Sequence, residues 1–199
     1  MTEALSSLIM ASLVLLGSPG PAPLALAATG GSVGIRLGIP FLAGVLLGLA
    51  VAIVAAAVGL ATLFETYPRS ERVVQFIGGC YIAYLAYKIA LAPTNVASNT
   101  QHARTPSFVD GFILNLLNPK AYAAFLAIFS QFLLPLSTSI VSWLMTAIIC
   151  FSVAVLVDIM WLCFGGLLAP LFSHPQTARP IRVSFALMMV ASVMWAYTR

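Results

Sequence analysis

A chain of 199 residues that is 61% hydrophobic and 7% charged, with mean hydropathy +1.05, has too little polar surface to stand in water as a soluble domain, where about 25% of residues are charged. A membrane-spanning helix needs about 20 predominantly apolar residues, so this length accommodates about six spans and leaves no room for a soluble domain. The net charge of +4 does not indicate a nucleic-acid partner, because the nine Lys and Arg mostly flank apolar runs instead of clustering among aromatics; their placement suits lipid headgroups and topology signals.

Apolar runs bounded by turn signals predict transmembrane helices over 4–28, 38–64, 73–91, 108–134, 140–172 and 181–197. The first run carries a small-x-small pattern, Ala25-Leu26-Ala27, like a signal-peptide cleavage site, but Glu3 and the lack of Lys or Arg before it predict an uncleaved span. Near its centre lies Ser18-Pro19-Gly20-Pro21-Ala22-Pro23. Three prolines remove amide donors and Gly20 weakens what is left, so a break is expected rather than a continuous helix. Backbone groups freed there must meet protein or cavity water, since lipid offers no partner. The half-helix beyond the break turns its positive end inward, which suits a carboxylate and marks Pro19, Gly20 and Pro21 as substrate-binding candidates. A proline kink used only for packing is the plainer alternative. Gly30-Gly31 punctuates the chain before the next run.

In the second run Gly44 and Gly48 form a GxxxG packing face, and Gly78-Gly79 thins the third. Tyr81, Tyr84 and Tyr87, three residues apart on one side of the third run, can line a substrate path, with filling of the helix interface the plainer reading. The polar stretch 93–106 divides the chain almost in half, so repeat one is placed at 1–92, a loop at 93–107 and repeat two at 108–199, within a single transmembrane domain.

The fourth run holds Asn115, Asn118, Pro119 and Lys120 near its middle. A charged lysine at mid-membrane costs roughly 2.5–3.5 kcal/mol on insertion scales, so something must compensate it. Asn115, Asn118 and Tyr122 share one helical face and can line a polar track, whereas Lys120 points about 200° away from Asn118 on an unbroken helix. Only a break at Pro119 brings the ammonium and the amides together. The fifth run is too long for one span and is expected to tilt or to end within 165–170. Asp158, set among apolar neighbours, is a functional candidate because it can neutralise Lys120, bind a substrate ammonium or carry a proton. A buried aspartate bonded between helices without a transport role is the bland alternative. Trp143, Trp195 and Tyr197 lie toward span ends as interfacial anchors. Cys80, Cys150 and Cys163 sit in apolar runs with no CxxC or Cys/His pair, which indicates neither a disulfide framework nor a metal site.

Internal echoes link the halves: Leu15-Leu16-Gly17-Ser18-Pro19 is matched by Asn115-Leu116-Leu117-Asn118-Pro119, and Arg72-Val73 leading to Ala86-Tyr87 by Arg182-Val183 leading to Ala196-Tyr197. Three spans per half place the second half upside down relative to the first, as in inverted-repeat transporters. Arg36, Lys88, Arg104, Arg179 and Arg182 fall on one side against Arg69, Arg72 and Arg199 on the other, which places both termini outside.

With these residues in view the chain resembles the LysE/RhtB family of bacterial amino-acid exporters across essentially its whole length. The resemblance is carried by Ser18-Pro19-Gly20-Pro21, Gly34-Ile35-Arg36-Leu37-Gly38, Gly44 and Gly48, Gly78-Gly79-Cys80-Tyr81-Ile82-Ala83-Tyr84-Leu85, Phe108, Gly111-Phe112, Asn115 to Ala121, Phe125 and Gln131-Phe132. It implies six helices in a bacterial cytoplasmic membrane, export of amino acids or derivatives such as lysine, homoserine, threonine or leucine, and coupling to the proton gradient. Pro19, Gly20, Pro21, Asn115, Asn118, Pro119 and Lys120 match family motif positions, and Asp158 matches the acidic residue common in the fifth span. Ala86 stands where the family commonly has glycine, and the last helix lacks the usual glycines; both bear on helix packing.

The expectation is therefore an all-α integral membrane protein of two inverted three-helix repeats, acting as a secondary exporter of an amino acid or similar small zwitterion. It is not expected to be an enzyme or to hold a cofactor, and a homo-oligomer is left open. A metal-ion exporter is disfavoured because Asp110 and Asp158 are the only carboxylates in or beside spans four and five, and His102 and His174 lie in loops. An intramembrane aspartyl protease stays formally open on the same two aspartates.

Overall fold

Apolar chain in a membrane must satisfy its backbone internally, which helices do, and prolines interrupt them where the ring removes a donor and blocks a carbonyl. A computed structural model of the chain describes residues 1–57, 76, 80, 82–84, 86–87, 90–91, 105–173 and 175–197. It is an all-α integral membrane protein, with helices α1 (Thr2–Gly17), α2 (Pro21–Val33), α3 (Ile35–Ala57), α4 (Phe108–Leu116), α5 (Pro119–Gln131), α6 (Ser139–Leu167), α7 (Ala169–Ser173) and α8 (Pro175–Tyr197) among the described residues. Of these, α3 and α6 are long and apolar enough to cross a membrane alone. The pairs α1–α2 and α4–α5 meet the same test as broken spans, bent by 63° and 55°. The expected third span, with Gly78-Gly79 and Tyr81, falls largely outside the described residues, as do most of the 93–107 loop, His102 and His174.

The sequence boundaries shift where local chemistry overrides them. Gly30-Gly31 does not punctuate the chain: both lie buried inside α2, which runs on to Val33. The hydroxyls of Thr29 and Ser32 return to the carbonyls of Ala25 and Ala28 one turn back, so the polar residues there do not stop the helix. The turn comes at Gly34, whose φ of 85° lies in the region L side chains rarely adopt, and α3 starts at the next residue. Similarly, the chain is already helical from Pro175, where α8 begins, so the polar residues before the last apolar run belong to its helix. The fifth run ends as expected, with α6 stopping at Leu167 and α7 following.

Small residues decide which helices touch. A Cβ on Gly30 would collide with the carbonyl of Leu162, and one on Gly165 with that of Ala27, so α2 and α6 are in backbone contact. The GxxxG face of α3 does the same against α4: Gly44 lies on the Phe108 carbonyl, Gly48 on that of Phe112, and Gly111 answers against Phe41. Every residue of α2 from Pro21 to Gly31 is buried, as expected of a helix that is small and apolar on all sides. Large apolar side chains such as Leu13, Val14, Leu47, Val54, Leu144, Leu156 and Met160 stay exposed on the outer helices, where lipid is the solvent.

Two apolar clusters form the interior. One gathers around α2 with Phe41, Val45, Leu114, Leu162 and Phe185; the other joins Leu8 to Leu49, Phe125, Ile128, Phe129 and Cys150. Between α5 and α6 the chain is irregular, and the amides of Leu134 and Leu136 donate to Thr146 and Ser142, one turn apart on α6. Arg182, counted above as a topology marker at a span end, is almost fully buried at 2% exposure, within the same helix as the core residues Phe185 and Ala186.

Candidate functional site

Each broken span leaves carbonyls at the end of its first half without helical partners. In α1 the break runs from Ser18 to Gly20. The Ser18 hydroxyl takes the Leu15 carbonyl at 3.2 Å, and the Trp161 indole N–H from α6 donates to Gly17 at 3.2 Å. The Lys120 ammonium from α5 donates to Ser18 and, at 3.3 Å, to Pro19. A cation at the C-terminal end of α1 also meets the negative pole of that helix. Lysine and indole thus supply the donors that three prolines and the bend take away.

The second break closes with its own residues. Asn118 caps α5, its Oδ1 accepting from the Lys120 amide at 3.2 Å. Its Nδ2 donates to Asn115 Oδ1 at 3.2 Å, and Asn115 Nδ2 donates to the Val45 carbonyl of α3 at 2.9 Å. The Val45 carbonyl can only accept, so it fixes the orientation of Asn115, which fixes that of Asn118. The Tyr122 hydroxyl donates to the Leu116 carbonyl at 2.7 Å. Tyr122 therefore closes the bend, where sequence spacing had set it on a polar track with the two asparagines.

Where the breaks meet, a cavity of about 30 Å³ is lined by Asn115, Asn118, Lys120 and Asp158, with Ala22, Pro23 and the alanines 121, 124 and 154 among its walls. That volume holds one or two waters. Asp158 is buried at 6% exposure on α6, and its charge attracts that of Lys120. The hydrogen bonds of the ammonium nevertheless go to the α1 carbonyls. The break at Pro119 does bring Lys120 and the asparagine amides to one cavity, as the sequence reading required.

The candidates Pro19, Gly20 and Pro21 do not line the cavity; their neighbours Ala22 and Pro23 do, while Pro19 contributes its carbonyl to Lys120. Gly20 is the N-cap of α2 with extended φ of −168°, so its conformation does not demand glycine; what its missing side chain leaves open is the path of the Lys120 stem. A Cβ there would lie 2.8 Å from Cδ of Lys120. Pro21 and Pro23 occupy the first and third positions of α2, so Ala22 alone offers an amide N–H among the first three. The anion-binding end of this half-helix is thus poorer in donors than its dipole suggests. Trp161 was not among the sequence candidates; its signal was an indole N–H three residues after Asp158, on the same helical face.

Asp110 does not line the cavity. Its carboxylate accepts from the Ser107 amide at 2.8 Å and closes a capping box at the start of α4. Among the described residues no three His, Cys, Asp or Glu side chains gather as a metal ion would need.

Residues 13–197 match the profile of the LysE type translocator family. The chain is 27% identical over 180 residues, 90% of either protein, to the cysteine/O-acetylserine efflux protein of Escherichia coli strain K12, and equally to that of Escherichia coli O9:H4 strain HS. No solved structure matches it.

Proposed function

Because the chain belongs to the LysE type translocator family, a family of membrane transporters and not of enzymes, we propose that it exports small amino acids or their derivatives from the cytoplasm. The observation that carries this reading is the pairing of one ammonium and one carboxylate, Lys120 and Asp158, around a single cavity walled by alanines and by Leu15, Leu16 and Leu49. A zwitterion carries the same two charges in mirrored order. Its carboxylate is assigned to Lys120 with the amides of Asn115 and Asn118, each of which keeps a second hydrogen. Asp158 binds the amino group or carries a coupling proton. The alanine walls favour a short side chain, in keeping with the printed cargo of the two relatives, cysteine and O-acetylserine.

A space for one or two waters does not admit an amino acid, so loading requires the helices around the cavity to part. In this reading that motion is the rocking of two inverted halves, 1–92 and 108–199, of six spans in all. The carrier resides in a bacterial cytoplasmic membrane with both termini outside, exchanging protons for substrate.

Everted vesicles containing the protein, with labelled cysteine, O-acetylserine and other small amino acids, test this. Accumulation that rises with an imposed proton gradient is expected, together with loss of about 100-fold in rate for Asp158→Asn at unchanged membrane abundance. Indifference to the gradient for every amino acid tried would remove the coupling, and normal export by Asp158→Asn would remove the assigned role of that residue.

A further inference from the structure

Building on the exporter reading, we infer that the carbonyls of Ser18 and Pro19, with Asp158 across the cavity, form the subsite for the substrate's amino group, and that the Lys120 ammonium fills it as a tethered stand-in until substrate displaces it.

The chemistry of the subsite is all acceptor. Two carbonyls at the negative end of α1 hold the Lys120 ammonium, Lys120 and the Asp158 carboxylate line one small cavity, and none of these three acceptors suits a carboxylate guest. A lysine head and the amino group of an amino acid are both primary alkylammonium ions with three N–H donors, so a place shaped for one accepts the other. Gly20 supports the assignment independently. Its backbone is extended, a conformation open to any residue, yet a Cβ would come within 2.8 Å of Cδ and 3.0 Å of Nζ of Lys120. The glycine clears the lane in which this side chain lies.

The exchange accompanies the parting of the helices that loading requires. With about 30 Å³ available and Lys120 on its wall, the lysine head occupies the side by which a substrate ammonium would reach the α1 carbonyls. Withdrawal alone would take the donor from the carbonyls of half-buried Ser18 and exposed Pro19, at a bend where lipid offers no replacement. Arrival of the substrate ammonium replaces like with like, and the released lysine is then free to meet the substrate carboxylate. An empty carrier accordingly keeps its first break closed, and a substrate lacking an amino group cannot open it.

The test uses the full chain purified in detergent, with methylammonium as the probe. Lys120→Ala vacates the subsite, so methylammonium is expected to raise its Tm by about 2–4 °C while leaving the unsubstituted protein unchanged. Tetramethylammonium, which has the charge but no N–H, is expected to do nothing. Equal responses to the two ions, or no response to either, would overturn the inference. Lys120→Met retains the apolar stem should the alanine variant fail to fold; if neither variant can be purified even in methylammonium, the subsite does not take a free ammonium and the inference fails. In vesicles, the decarboxylated analogue of a transported amino acid should compete with it at least about tenfold better than the N-acetylated one; parity between them would also overturn it. The thermal measurement needs no transport, so a carrier that exports no amino acid would end the exporter reading while leaving ammonium binding separately measurable.

Discussion

The two broken spans bend by similar angles, 63° and 55°, but the means that hold them differ. The α4–α5 break is local: Asn118 caps the second half and Tyr122 takes a carbonyl of the first, both within seven residues of the bend. The α1–α2 break has no side-chain cap at Gly20, and although Ser18 takes the Leu15 carbonyl, those of Gly17, Ser18 and Pro19 are met by Trp161 and Lys120, from more than 100 residues away. A bend closed chiefly by its own neighbours depends on the rest of the bundle only through the Asn115 contact to Val45. One satisfied by distant helices reports on their position, which suits the part of a carrier that must sense whether the site is filled.

Substituting prolines is the strongest way to break this contrast. Replacing Pro19, Pro21 and Pro23 together by alanine restores three amides to the first span, and the helix is expected to straighten, with export falling by about 100-fold or more. Pro119→Ala should leave the second bend within a few degrees of its present angle, because Asn118 and Tyr122 remain. Spin-label distances across each bend measure both outcomes, and a second bend that straightened as readily as the first would erase the distinction. Next in size is Asn118→Ala, which removes the cap and leaves Asn115 Oδ1 without its donor; a loss of about 2–3 kcal/mol in unfolding free energy is expected. Trp161→Phe keeps the ring but abandons the Gly17 carbonyl, for about 1–2 kcal/mol and a several-fold slower transport rate. Tyr122→Phe is the mildest, about 1 kcal/mol, with transport kinetics near those of the unsubstituted protein, since the bond it removes only closes a bend. If Tyr122→Phe slowed transport more than Trp161→Phe, the assignment of the sensing role to the first break would be reversed.

Much of this was legible in the sequence because it depends on local chemistry. Prolines 19, 21 and 23 with Gly20 predict a break without any knowledge of neighbours, and the echo between 15–19 and 115–119 falls on both bends. The membrane class follows from composition, and the GxxxG face of α3 from spacing. What spacing could not supply was the pairing of groups distant in the chain. Lys120 shares a cavity with the amides, as a break at Pro119 allows, but the acceptors of its ammonium are carbonyls 101 and 102 residues earlier, which spacing does not reveal. Tyr122 left its expected face because the bend at Leu117 and Asn118 changes the register of everything after it. Gly30-Gly31 misled for the opposite reason: glycine weakens an isolated helix, but here the closeness of the Leu162 carbonyl demands the absence of a side chain.

Gly34 joins α2 to α3 by a single residue. Such a short tether has almost no slack, so the central helix cannot slide along its axis without dragging its lipid-facing successor with it. Through Gly44 and Gly111 that successor is in turn seated against the first half of the opposite broken span. Three elements are thereby geared together, and a displacement begun at the core would arrive at the periphery as a turn of the whole unit, with little lost in the linkage.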